Sequence, residues 1–141
     1  MRNSPRSIQD YLSYSLAAAH RKMSVALNER LRQHGIQIET WRILETLAAD
    51  QRLTMGQLAE IVLLKPPTLT KLVDRMVSDG LAHRQVAQAD HRQINVLPTA
   101  LGTKRMLQIR REVQLEDTAV QSLLGKEEAD KLIELLREVV Q

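Results

Sequence analysis

Residues 54–102 read TMGQLAEIVLLKPPTLTKLVDRMVSDGLAHRQVAQADHRQINVLPTALG, and three changes of pattern inside this stretch decide the fold. At its start the Thr54 hydroxyl is placed to accept the amide of Gln57 while the Gln57 side chain reaches back, a capping box that opens a short helix through Val62. Leu63-Leu64-Lys65-Pro66-Pro67 cannot continue that helix, because two prolines remove donors and push the residues before them toward extended backbone. Pro67 suits the first position of a new helix. From Thr68 to Asp79 that helix puts Leu69, Leu72, Val73, Met76 and Val77 on one face and Pro67, Thr68, Lys71, Asp74 and Arg75 on the other, and Gly80 supplies a left-handed stop. Past Gly80 the period drops to two. Leu81, His83, Gln85 and Ala87 alternate with Ala82, Arg84, Val86 and Gln88, and residues 93–97 complete a predicted hairpin with Ala89-Asp90-His91-Arg92 at its tip. Two helices joined by a turn and backed by a hairpin predict a winged helix-turn-helix.

Outward from this stretch the pattern is helical on both sides. Thr99 is placed to cap a long helix containing Leu101, Met106, Leu107, Ile109, Val113, Leu115 and Val120, which Gly125 ends; Glu127 and Glu128 then open a last helix at its positive end. Before the stretch, Tyr11, Ser15, Leu16, Ala19, Met23, Ala26, Leu27 and Leu31 recur at steps of three and four, predicting one helix from about Ser7 to Gly35. Such a helix spans ~40 Å, longer than one small lobe needs for its own core. A second helix over 38–49 buries Trp41, Leu44 and Leu47 or Ala48. The apolar stripe Ala129, Leu132, Ile133, Leu136, Val139 and Val140 needs a cover, and beside an over-long first helix it predicts an intertwined homodimer.

Composition narrows the class. A chain of 141 residues forms one domain that buries about two-thirds of the surface of its unfolded form. Phe is absent and Trp41, Tyr11 and Tyr14 are the only aromatics, so the core is built from Leu, Ile, Val, Ala and Met, which favours a mainly α fold with a small β-hairpin wing. A net charge of +3 does not by itself demand a polyanionic partner. Without cysteine there is no disulfide, thiolate zinc site or thiol switch, in keeping with a reducing cytoplasm. No signal-peptide run and no ~20-residue apolar span is present, so no membrane is expected.

Thr68, Lys71 and Arg75 project together from one helix face, and such a row fits the major groove, where Lys or Arg reaches guanine O6 and N7 and Thr meets a thymine methyl or a phosphate. An ordinary solvated face has the same charges, but not the capped helix and Pro-Pro turn before it or the basic fingertip after it. At that tip Asp90 is read as the orienter of Arg92, which is expected to enter a narrow minor groove. His20, His34, His83 and His91 lack metal-ligand spacing, so no metal is expected; His20 reads as a helix-surface imidazole and His34 as a helix C-terminal cap. The scattered glycines form no phosphate-cradling loop and no nucleophile stands beside a base, so neither a cofactor nor an enzyme is expected. The contrasting possibility is a winged-helix protein-protein adapter that does not bind DNA.

Gly80-Leu81, Arg84, Asp90-His91-Arg92 and Thr99-Ala100-Leu101-Gly102 together resemble the signature of the MarR winged-helix regulators, and Trp41, Leu58-Ala59 and Val73-Asp74-Arg75 fit the same order. The resemblance covers nearly the whole chain. It implies a single domain over 1–141, with a DNA-binding lobe at 36–98 and a helical dimerisation region at 5–34 and 99–141. It further implies a homodimer on pseudo-palindromic double-stranded DNA, mostly repressing, with a small anionic or phenolic effector between the dimer helices and the lobe. The expected DNA-binding residues are Thr54, Lys65, Pro67, Thr68, Thr70, Lys71, Arg75, Arg84, His91 and Arg92; by family analogy Tyr14, Ala18, Ile36, Trp41 and Arg42 line the effector pocket. Two departures stand out: Pro98 where Leu is common, and His91 where Arg is frequent, which lessens wing charge near neutral pH.

Overall fold

In the computed structural model, residues 7–50, 52–85 and 95–141 are described. The predicted first helix is interrupted. Ser7 and Asp10 close a capping box around a single 3-10 turn, Ile8–Asp10, and Tyr11 is extended (φ −84°, ψ 134°), so α1 runs Leu12–Arg32. The local side-chain bonds satisfy the turn by themselves, which releases the chain from continuing the helical ladder. Gly35, at φ +67°, closes the far end, where Ile36 donates to the Leu31 carbonyl at 3.4 Å.

Next come α2 (Ile38–Ala49) and α3 (Met55–Val62). The Thr54 box is as read: Thr54 Oγ1 accepts the Gln57 amide at 3.1 Å, and Gln57 Oε1 accepts the Thr54 amide at 2.8 Å. What ends α3 differs from the reading. Leu63 enters the left-handed region (φ 62°, ψ 41°), and Leu64 donates to the Ala59 carbonyl at 2.9 Å, a Schellman turn made before either proline. The prolines instead start α4 (Pro66–Ser78), one residue earlier than Pro67 suggested, with Lys65 as cap.

The hairpin base pairs β1 (Ala82–Arg84) with β2 (Val96–Pro98) in antiparallel register Ala82↔Pro98, His83↔Leu97, Arg84↔Val96. Two long helices follow, α5 (Ala100–Leu124) and α6 (Lys126–Val140). The junction between hairpin and α5 is close-packed. Thr99 accepts the Gly102 amide at 3.0 Å, donates its hydroxyl to the Gly80 carbonyl at 2.6 Å, and donates its amide to Leu81. A Cβ on Gly102 would lie 2.0 Å from the Leu81 carbonyl oxygen, so only glycine fits.

One core joins Ile43, Leu44 and Leu47 of α2, Leu58 and Val62 of α3, Leu69, Val73 and Met76 of α4, Ala82 and Val96 of the hairpin and Met106 of α5. Leu47 is buried and Ala48 exposed, which settles the end of the α2 face. A second cluster, Leu31, Ile36, Ile38 and Ile109, ties α1 to α5, and Trp41 packs against both. Its indole N–H donates to Glu45 Oε1 at 3.1 Å, and Glu45 holds Arg110 of α5 through both oxygens at 2.7 and 2.8 Å. This bonding draws the Glu45 carboxyl below the usual carboxylate range, chiefly through the Arg110 hydrogen bond. α6 packs along α5 and leaves Leu132, Ile133, Leu135, Val139 and Val140 exposed.

Candidate nucleic-acid interface

α4 stands on the lobe core by one face and is bare on the other. Leu69, Val73 and Met76 point inward, and the 3.6-residue period turns Pro67, Thr68, Lys71, Asp74 and Arg75 outward, all exposed. Neither Lys71 nor Arg75 has an ion-pair partner among the described residues. Lys65 is exposed at the start of α4. Thr70 is exposed too, but its hydroxyl donates to the Pro66 carbonyl at 3.1 Å, and the Thr54 hydroxyl accepts the cap bond. The Thr70 proton is therefore committed to its own helix, whereas Thr54, which accepts in its cap bond, keeps its O–H to donate.

Arg84 is not free. Its guanidinium pairs with the carboxylate of Asp74 on α4, a link between the hairpin base and the exposed helix that spacing alone does not reveal. Asp90, His91 and Arg92 lie outside the described residues. Beneath α4, an open cleft of about 730 Å³ is lined by Thr68, Lys71, Leu72 and Arg75 on one side and by Asn28, Gln37 and Glu39 on the other. The last three were missed because they come from the α1–α2 corner, and no local pattern signals a surface assembled from residues so far apart in the chain.

The five residues assigned by analogy to an effector pocket do not converge within one chain. Tyr14 and Ala18 lie on the outer face of α1 with Arg21 and Val25, while Ile36 is core and Trp41 is tied to Glu45. Arg42 alone lines a cavity of about 150 Å³ between α1, α2 and α5, with Met23, Ser24, Leu27, Val113 and Asp117. His34 meets Glu112 of α5 at 3.4 Å, and Arg30 pairs with Glu112 and Glu116, so His34 contributes to the α1–α5 contact in addition to ending α1. Among the described residues no group of His, Cys, Asp and Glu is arranged to hold a metal, and no helix is long and apolar enough to cross a membrane.

A model of the MarR family matches residues 34–93, a segment that begins just after α1 and takes in α2, α3, α4 and β1. The chain is 28% identical over 128 residues to the HTH-type transcriptional regulator FarR of Neisseria gonorrhoeae, an alignment covering 91% of this chain and 88% of that protein. The segment that carries α2, α3, α4 and β1 is thus similar to the MarR family. The chain is also similar to the homoprotocatechuate degradative operon repressor of Escherichia coli, 25% identical over 135 residues, 94% of this chain and 90% of that one. The crystal structure of NadR in complex with 4-hydroxyphenylacetate superposes with a TM-score of 0.81 at 28% identity, covering 98% of both chains. On the MarR winged-helix fold, α3 and α4 are the helix-turn-helix and β1–β2 is the base of the wing.

Proposed function

We propose that this protein is a MarR-type, sequence-specific double-stranded DNA-binding regulator of transcription. In this reading it is a cytoplasmic homodimeric repressor without catalytic activity, and a small anionic or phenolic molecule loosens its hold on a near-palindromic site. The observation that carries the proposal is the exposed row of Thr68, Lys71 and Arg75 on α4, with both cations unpaired among the described residues. An unpaired cation on a rigid helix meets a phosphate or a guanine edge without first breaking an ion pair. The homodimer is supported by the uncovered stripe of α6 and by the exposed Tyr11 beside Leu12 and Val25 of α1, apolar side chains that a partner chain would cover. Effector control is supported by the likeness to NadR with its aromatic acid, and Arg42 at the small α1–α2–α5 cavity is the residue best placed to meet a carboxylate.

Fluorescence anisotropy of the full chain with a labelled duplex, across a range of salt, tests the proposal. Log affinity should fall with log salt by about 0.9 per phosphate neutralised, and Lys71→Ala should weaken binding at every salt concentration. A flat salt response would instead favour a protein-docking winged helix.

A further inference from the structure

Among the described residues, Arg84 is the one cation of the expected DNA surface that is tied into an ion pair. Strand alternation explains how. Ala82 points into the lobe core, so Arg84, two residues on, lies on the same side of β1, the side turned toward α4. There it meets Asp74, which leaves the exposed face of α4 between Lys71 and Arg75. Both side chains remain about half exposed, at 51% and 57%, so the pair adds little to the stability of the fold. A carboxylate beside Lys71 and Arg75 is also an unfavourable neighbour for phosphate. Its worth on this surface must therefore lie in what it does to Arg84, a long side chain that loses rotamer freedom when it binds unless something has already fixed it.

We infer that Asp74 is a positioning residue: it holds the Arg84 guanidinium at the shoulder of α4, so that recognition helix and wing base present one preset surface and Arg84 takes a phosphate flanking the groove that α4 enters. The inference rests on the DNA reading above and adds a prediction of opposite sign to simple electrostatics. Removing a negative charge from a DNA-facing surface should tighten binding; removing Asp74 should weaken it.

The test is a double-mutant cycle on the full-length protein, with a duplex enriched from a random pool by the wild type. Asp74→Ala is expected to weaken binding roughly three- to tenfold, the cost of ordering a free arginine on contact. Arg84→Ala should weaken it further and lower the salt slope by about one phosphate. In the Arg84→Ala background, Asp74→Ala should tighten binding, because only repulsion is left to remove. Melting temperatures of all four proteins separate lost aim from lost fold. The inference is overturned if Asp74→Ala binds as well as or better than the wild type, or if it weakens binding equally in both backgrounds. Failure of the wild type to enrich any duplex would overturn the DNA reading, and this inference with it.

Discussion

Lys71 and Gly102 show how differently single residues serve this protein. Lys71 is exposed on α4 and has no ion-pair partner among the described residues; Lys71→Ala should leave the melting temperature unchanged and, if the amine reads a base edge, lower affinity for the preferred site by about 1–3 kcal/mol. Gly102 is the reverse. Its missing Cβ is what lets α5 lie against the Leu81 carbonyl, and a backbone oxygen at 2.0 Å cannot swing aside as a side chain would. Gly102→Ala should therefore cost at least the ~1–3 kcal/mol typical of overpacking, read as a lowered denaturant midpoint. Sequence spacing identified the outward row of α4, because helical period is a local property. It did not reveal the Asp74–Arg84 pair or the Asn28, Gln37 and Glu39 wall of the cleft, because these depend on how separate elements dock. Nor did spacing reveal that the indole N–H of Trp41 is satisfied by Glu45, one helical turn away.

Element boundaries followed local chemistry wherever a cap was written into the chain. The Thr54 box and the Thr99 cap stand where side-chain chemistry put them, and Ile38–Ala49, which has no side-chain cap, stands where its apolar spacing put it. The misses were the break at Tyr11, where the Ser7–Asp10 side-chain bonds close a separate turn, and the end of α3 at Leu63. Leu63 takes a left-handed conformation that costs a non-glycine residue about 1–2 kcal/mol, and at 73% exposure it gains little burial in return. Leu63→Asn should accordingly raise stability by up to ~1 kcal/mol, and a lower midpoint than the wild type in urea would contradict this account of the turn. Between elements, the Glu45–Arg110 bridge predicts a pH dependence. A carboxyl whose pKa is lowered in the folded state contributes its stability in full above the ordinary glutamate value near 4.3, and loses it as pH falls through the depressed folded value. Urea unfolding from pH 7 down into this acid range should show a loss in the wild type that Glu45→Gln lacks.

At the scale of the whole molecule, the winged lobe is closed around its own core while the helices on either side are not. Val140 is 84% exposed and Leu132 and Ile133 are 42% and 40% exposed along one stripe, the pattern that predicted a second copy from sequence. Leu132→Glu combined with Ile133→Glu should shift the protein from dimer to monomer in analytical ultracentrifugation and abolish tight binding to a two-half-site duplex while leaving the lobe folded. Two lobes fixed in a symmetric dimer would place their α4 helices in successive major grooves, about 34 Å apart. The most direct measurement of the central claim, that α4 reads double-stranded DNA, is selection of duplexes from a random pool by the full-length protein in dilute buffer. The account predicts enrichment of one site whose two-fold-related halves are centred about 10 base pairs apart, and its loss with Lys71→Ala. A folded protein that enriches no duplex, or enriches the same sequences equally well without Lys71, would contradict it.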